Sequence, residues 1–142
     1  MIEIAVKDIE RACDVQRKSG DENRICKGCV IDSRQVQPDS IFVAFSGERV
    51  DGNSFAPAAI EAGAGAVVLT IEPASDLIDL ANEHGCVLFT CEDPMEFLLS
   101  LAHHYRMGLN ATVIGVTGSI GKTTTKDSLA KMLACRYRVH VT

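Results

Sequence analysis

The sequence has 142 residues, with 14 Lys and Arg against 19 Asp and Glu, giving a formal net charge of −5 at pH 7. At 46% hydrophobic and 23% charged residues it reads as one globular domain, or one domain plus the start of another, able to bury roughly 70% of its unfolded surface. The composition excludes disorder, collagen and coiled coil, and an acidic chain with five Phe, two Tyr and no Trp lacks the basic, ring-bearing surface that nucleic acid requires.

No apolar run approaches the ~18 residues that span a bilayer, and Glu3, Lys7, Asp8 and Glu10 interrupt any secretory hydrophobic region. No membrane insertion, a cytoplasmic location and a monomeric state are expected. Six cysteines fall short of disulfide-scaffold density and sit mostly in apolar stretches, so reduced thiols are expected. Cys26 and Cys29 form a CxxC, but no second pair follows at zinc-ligand spacing. They read as partly buried apolar side chains.

In chain order, residues 6–13 have the spacing of a short amphipathic helix, and 16–24 turn polar and charged, as a solvated loop does. Strands are expected at 25–31, 41–45, 66–71, 86–90 and 112–116, with helices at 54–62, 76–84 and 94–107 between them. Asp93 suits the N-cap of the last of these, Pro94 its first turn and Gly108 the position just past its end. His103 and His104 near its C-terminal end suit the helix dipole. The GAGA at 63–66 follows a helix and lacks a third glycine, so it reads as a helix stop and not as a dinucleotide fingerprint. A further helix is expected at 123–135, then a strand-like segment at 137–142. Alternating β and α elements predict an α/β fold with a mostly parallel sheet. The boundary is expected at 108–110, because 31 residues from 112 onward cannot cover both faces of a new sheet.

The strongest chemical signal is GVTGSIGKTTTKD at 115–127. Glycines and a lysine between a β-branched segment and a helix are what a polyphosphate needs: backbone N–H groups and the positive end of a helix dipole. Gly118 and Gly121 would let the backbone wrap the phosphates, Lys122 would reach the β- and γ-phosphates, and the Thr123 hydroxyl would ligate Mg2+. The generic pattern asks for glycine where Val116 stands, so this is a TGxxGKTT variant. ATP and Mg2+ are the implied ligands.

A second cluster, VIDSRQVQPDSIFVAFSGERVDGNSF at 30–55, places two polar loops at one edge of the expected sheet. Arg34 can pair with phosphate, and Ser33 and Asn53 can hydrogen-bond a base or sugar. Equally, Asp32 and Ser33 can cap a turn, Arg34 can make a structural ion pair, and Asn53 or Ser54 can cap the next helix. The residues alone leave both readings open.

Taken together, TGxxGKTT and the preceding DSR…FVA…G…DG…F resemble the Mur ligases of bacterial cell-wall synthesis, from about Val30 to Lys131. The TTTKD continuation is most similar to members that join D-alanyl-D-alanine to UDP-N-acetylmuramoyl-tripeptide. The resemblance implies that residues 1–108 bind the UDP-sugar end of that substrate through Ser33, Arg34 and Asn53. It further implies that 109–142 begin a P-loop ATP-binding central domain, truncated here, with Gly118, Ser119, Gly121, Lys122, Thr123 and Thr124 on ATP and Thr123 on Mg2+. The family reaction is ADP-forming amide synthesis through an acyl phosphate, with the remaining catalytic groups beyond residue 142, so the chain alone is expected to be inactive. The family usually has PGD where this chain has Pro38, Asp39 and Ser40, His at Asn53, and Asn at Ile120. The alternatives are a stand-alone UDP-sugar binding module and the sister ligase that adds the third amino acid.

Overall fold

A computed structural model describes residues 3–47 and 50–141. The chain divides into two compact units, one ending at Leu109 and the other beginning at Asn110. The first unit holds a five-stranded sheet of β2 (Gln16–Ser19), β7 (Val87–Thr90), β6 (Ala66–Leu69), β5 (Ile41–Val43) and β4 (Cys29–Val30), adjacent in that order. β4, β5, β6 and β7 run parallel, and β2 closes one side antiparallel. A separate antiparallel pair joins β1 (Glu3–Ala5) to β3 (Ile25–Lys27). The α/β architecture with a mostly parallel sheet is therefore present.

The central strands are IFV, AVVL and VLF, every residue of which is buried. Such continuous apolar runs belong to parallel strands covered on both faces. On one face α1 (Val6–Ala12) and α4 (Pro94–Gly108) close over Val43, Val68 and Phe89 with Ile9, Phe97 and Leu101. On the other, α2 (Ala56–Glu61) and α3 (Ser75–Glu83) close over Phe42, Val67 and Leu88 with Ala59, Ile60 and Ala81. Asp93 caps α4, accepting from the Met95 and Glu96 amides at 2.7 and 3.3 Å. No helix among the described residues is long and apolar enough to cross a membrane.

Three sequence expectations are corrected. Residues 16–24 are not all loop: 16–19 form edge strand β2, whose polar side chains hide the strand period. Arg17 pairs with Glu10 and Glu22, and Lys18 with Glu72, which is how a charged edge resists further pairing. The run 25–31 is not one strand; it divides at Gly28 between the two sheets. Residues 112–116 and the described part of 137–142 form no strand, since no neighbouring strand among the described residues offers them backbone partners. Thr142 lies outside the described residues.

The thiols are ordered by burial. Desolvation pushes Cys13, Cys26 and Cys29 up to about 11 and Cys86 up to about 12, and raises Cys91, whereas Cys135 is exposed. Cys26 belongs to the core and Cys29 packs against it from the neighbouring sheet. Because the thiolate is the reactive form, a thiol reagent at neutral pH is expected to label Cys135 at once and the other five only in denaturant. A second fast-reacting thiol in the native chain would contradict this ordering.

Candidate functional site

β4, β5 and β6 are adjacent and parallel, so the segments that follow them emerge at one edge of the sheet, where α/β folds place their ligands. After β4, Asp32 caps a 3-10 turn over Ser33–Gln35 by accepting from the Arg34 amide at 3.0 Å. Its carboxylate also takes Arg34 Nε at 2.9 Å and Nη2 at 2.7 Å. The Arg34 guanidinium beside it holds Asp32 down at about 2, so the pair is ionised at any neutral pH. The Arg34 side chain is nonetheless 87% exposed. Neither its Nη1 nor the Ser33 hydroxyl has a partner among the described residues. The structural reading of this run is therefore present for Asp32 and Arg34: the turn caps itself, and the guanidinium paired with Asp32 stays exposed.

After β5 the chain folds back on itself. The Gly52 amide donates to the Phe45 carbonyl at 2.9 Å, the Gly47 amide to the Val50 carbonyl at 3.0 Å, and Ser46 bridges Asp51. Glu48 and Arg49, which belong to the expected polar loop, lie outside the described residues. Asp51 caps the next 3-10 turn by accepting from the Asn53 amide at 3.0 Å. Asn53 is only 6% exposed. Its Nδ2 lies 2.7 Å from Asp51 Oδ1, 2.8 Å from Thr70 Oγ1 and 3.2 Å from Ser46 Oγ, and its Oδ1 accepts from the Thr70 amide at 2.9 Å. Both ends of the carboxamide are thus engaged, and the loop is fastened to the end of β6. Asp51 is held below the usual carboxylate range by the donors from Asn53 and Ser46.

Sequence reasoning singled out Ser33, Arg34 and Asn53 at this edge and missed Ser46, Asp51 and Thr70. The available signal was that Ser46 and Thr70 are the polar residues that end the two apolar runs FVAF and AVVL.

The second unit carries α5 (Lys122–Ala134). Gly121 caps it with φ +81°, a left-handed conformation that costs a side-chain-bearing residue roughly 1–2 kcal/mol. The Thr125 amide donates to the Gly121 carbonyl at 2.9 Å. The amides of Lys122, Thr123 and Thr124 precede it in the first turn, where no intrahelical acceptor exists. Lys122 Nζ reaches back to the Gly118 carbonyl at 2.6 Å, so the ammonium spans the loop. Ser119, Thr123 and Thr124 are exposed, and their hydroxyls have no partner among the described residues. Free amides, an ammonium and hydroxyls make a donor set that suits a polyphosphate, and a threonine hydroxyl suits Mg2+.

The sequence pattern of the Mur ligase family, catalytic domain, matches residues 26–106, more than half of the chain. This chain belongs to the Mur ligase family. A relative from Bacillus subtilis, UDP-N-acetylmuramoyl-tripeptide–D-alanyl-D-alanine ligase, is 38% identical over 121 residues, which is 85% of this chain and 25% of the relative. A Haemophilus influenzae Mur ligase, UDP-N-acetylmuramoyl-L-alanyl-D-glutamate–2,6-diaminopimelate ligase, is 39% identical over 111 residues, 72% of this chain and 21% of the relative. The crystal structure of MurF ligase from Thermotoga maritima in complex with ADP is 32% identical with a TM-score of 0.63, covering 78% of this chain and 24% of that one. MurF from Acinetobacter baumannii is 26% identical with a TM-score of 0.76, covering 96% and 28%. The chain thus spans about a quarter of the length of the Mur ligases it matches.

Proposed function

We propose that this chain is the N-terminal part of an ATP-dependent, ADP-forming ligase that joins D-alanyl-D-alanine to UDP-N-acetylmuramoyl-tripeptide. The observation that carries the choice within the family is the 38% identity to the Bacillus subtilis tripeptide ligase over 85% of the chain. On this reading residues 1–108 take the UDP end of the substrate at the edge after β4, β5 and β6. Arg34 meets the diphosphate with its free Nη1, Ser33 offers a hydroxyl beside it, and Asn53 forms the floor.

Residues 109–142 open the ATP site, with the amides of Gly118, Ser119 and Gly121 around the phosphates. Lys122 exchanges its Gly118 carbonyl for a phosphate oxygen, Thr124 supplies a further hydroxyl, and Thr123 holds Mg2+. Bound Mg-ATP would supply the phosphoryl group that turns the substrate carboxylate into an acyl phosphate for attack by the incoming amine. The chain by itself lacks the family's remaining catalytic groups and turns nothing over; the reaction it belongs to is cytoplasmic.

The sister ligase, which adds the third amino acid, is the second reading, favoured by the 39% identity to the Haemophilus influenzae relative. The product of the complete coding region separates the two. ADP release is expected with UDP-N-acetylmuramoyl-tripeptide and D-alanyl-D-alanine together and with neither alone. Turnover of UDP-N-acetylmuramoyl-dipeptide with a free diamino acid instead would overturn the assignment in favour of the sister enzyme.

A further inference from the structure

We infer that Asn53 is a positioning residue: its buried carboxamide aims the Asp51 carboxylate and the Thr70 hydroxyl at a ribose hydroxyl of the nucleoside diphosphate bound at this edge. The inference rests on the reading above that the edge takes the UDP end. It also changes the part Asn53 plays, since an amide that is 6% exposed and engaged at both ends works through its neighbours.

The hydrogen count leads to this assignment. Nδ2 carries two hydrogens and faces three oxygens, of which Asp51 Oδ1 at 2.7 Å and Thr70 Oγ1 at 2.8 Å are the nearer. Ser46 Oγ lies 3.2 Å from Nδ2, 3.0 Å from Thr70 Oγ1 and 3.4 Å from Asp51 Oδ1, so it can donate to Asp51 while accepting from Thr70. Capping the turn needs only the Asn53 backbone amide on Asp51 Oδ1; the carboxamide behind the carboxylate goes further and fixes its rotation. Asp51 Oδ2 is left without a partner among the described residues, on an exposed side chain. The result is one fixed anionic acceptor, Asp51 Oδ2, next to a Thr70 oxygen that keeps a lone pair for an incoming donor.

That set discriminates by charge. A carboxylate repels phosphate and accepts strongly from a sugar hydroxyl, whereas the guanidinium after β4 does the reverse. Along one edge the chain therefore places a cation after β4 and hydroxyl-binding oxygens after β5 and β6. A nucleoside diphosphate has the same division, anionic at one end and hydroxyl-bearing at the other.

The test uses the 142-residue chain and two probes, uridine 5′-diphosphate and its 2′,3′-dideoxy analogue, by calorimetry, with amide spectra reporting the fold and the place of binding. Asp51→Asn is the central variant, because its carboxamide oxygen can still cap the turn while its NH2 replaces the outward acceptor. Asn53→Ala and the double variant complete a cycle. Asp51→Asn and Asn53→Ala are each expected to weaken uridine diphosphate about tenfold or more, as loss of a charge-assisted hydrogen bond does. The double variant is expected to lose no more than either single one. The dideoxy probe is expected to bind the unsubstituted chain at the weakened level and to be indifferent to the substitutions. If uridine diphosphate shifts the Ser33 and Arg34 amides but Asp51→Asn and the dideoxy probe change nothing, the inference is wrong and the UDP reading stands. If uridine diphosphate does not bind the unsubstituted, folded chain, both are overturned.

Discussion

Phe89→Ala is expected to destabilise the first unit by about 3–5 kcal/mol, the usual cost of removing a buried phenyl ring, against a total stability of about 5–15 kcal/mol for a domain. Phe89 is fully buried in β7 and lies between two paired strands, opposite Val68 of β6 and Arg17 of β2. Its ring fills the layer shared with Ile9, Phe97 and Leu101. Ile9 stands on α1 and Phe97 and Leu101 on α4, so collapse around the cavity requires two helices to move together. Phe42, also buried but on the opposite face, is packed with Ala56, Ala59 and Ala81, whose short side chains cannot reach into a void. A loss of the same order is expected there. Leu99 on α4 is 64% exposed, and Leu99→Ala is expected to change stability by no more than about 0.5 kcal/mol. Urea unfolding midpoints at constant slope measure all three; equal midpoints for Phe89→Ala and Leu99→Ala would refute the two-layer core.

The parts legible in the sequence are those where side-chain chemistry and backbone geometry say the same thing. IFVAF, AVVLTI and CVLFT are β-branched and aromatic runs bounded by glycine and polar residues, and each contains a central strand. DPMEFLL has an N-cap, a first-turn proline and helical spacing in succession, and α4 begins there. The failures occur where tertiary pairing decides. QRKS is a strand because β7 needs a neighbour, not because its residues prefer one. ATVIGVT has the preference without the neighbour and forms none. At the site, Ser33, Arg34 and Asn53 were visible as residue types in a loop. That Asn53 is buried under Asp51 and Thr70 was not, because Thr70 is 17 positions away and only the parallel register of β5 and β6 brings it close.

Gly52→Val is expected to cost about 3 kcal/mol, the upper part of the range for forced overpacking, and to weaken uridine diphosphate at least as much as Asn53→Ala. A Cβ at Gly52 would stand 2.5 Å from the Phe45 carbonyl oxygen and 2.7 Å from the Phe45 nitrogen. Both are backbone atoms two residues beyond β5, so no side-chain rotation relieves the contact. The chain must instead give up the Gly52 amide to Phe45 carbonyl bond that closes the loop. Asp51 and Asn53 flank Gly52, so opening the loop swings the carboxylate and its buried amide away from Thr70. The consequence reaches binding through geometry, with Ser33 and Arg34 after β4 left in place. Gly108→Ala supplies the contrast. Nothing lies within 4 Å of the Cβ it would add at the end of α4, and alanine in a helix is favoured over glycine by roughly 0.5–1 kcal/mol. The urea midpoint is therefore expected to fall for Gly52→Val and to hold or rise for Gly108→Ala. An unchanged midpoint with unchanged amide shifts over residues 50–53 in Gly52→Val would mean that the loop does not close on Phe45.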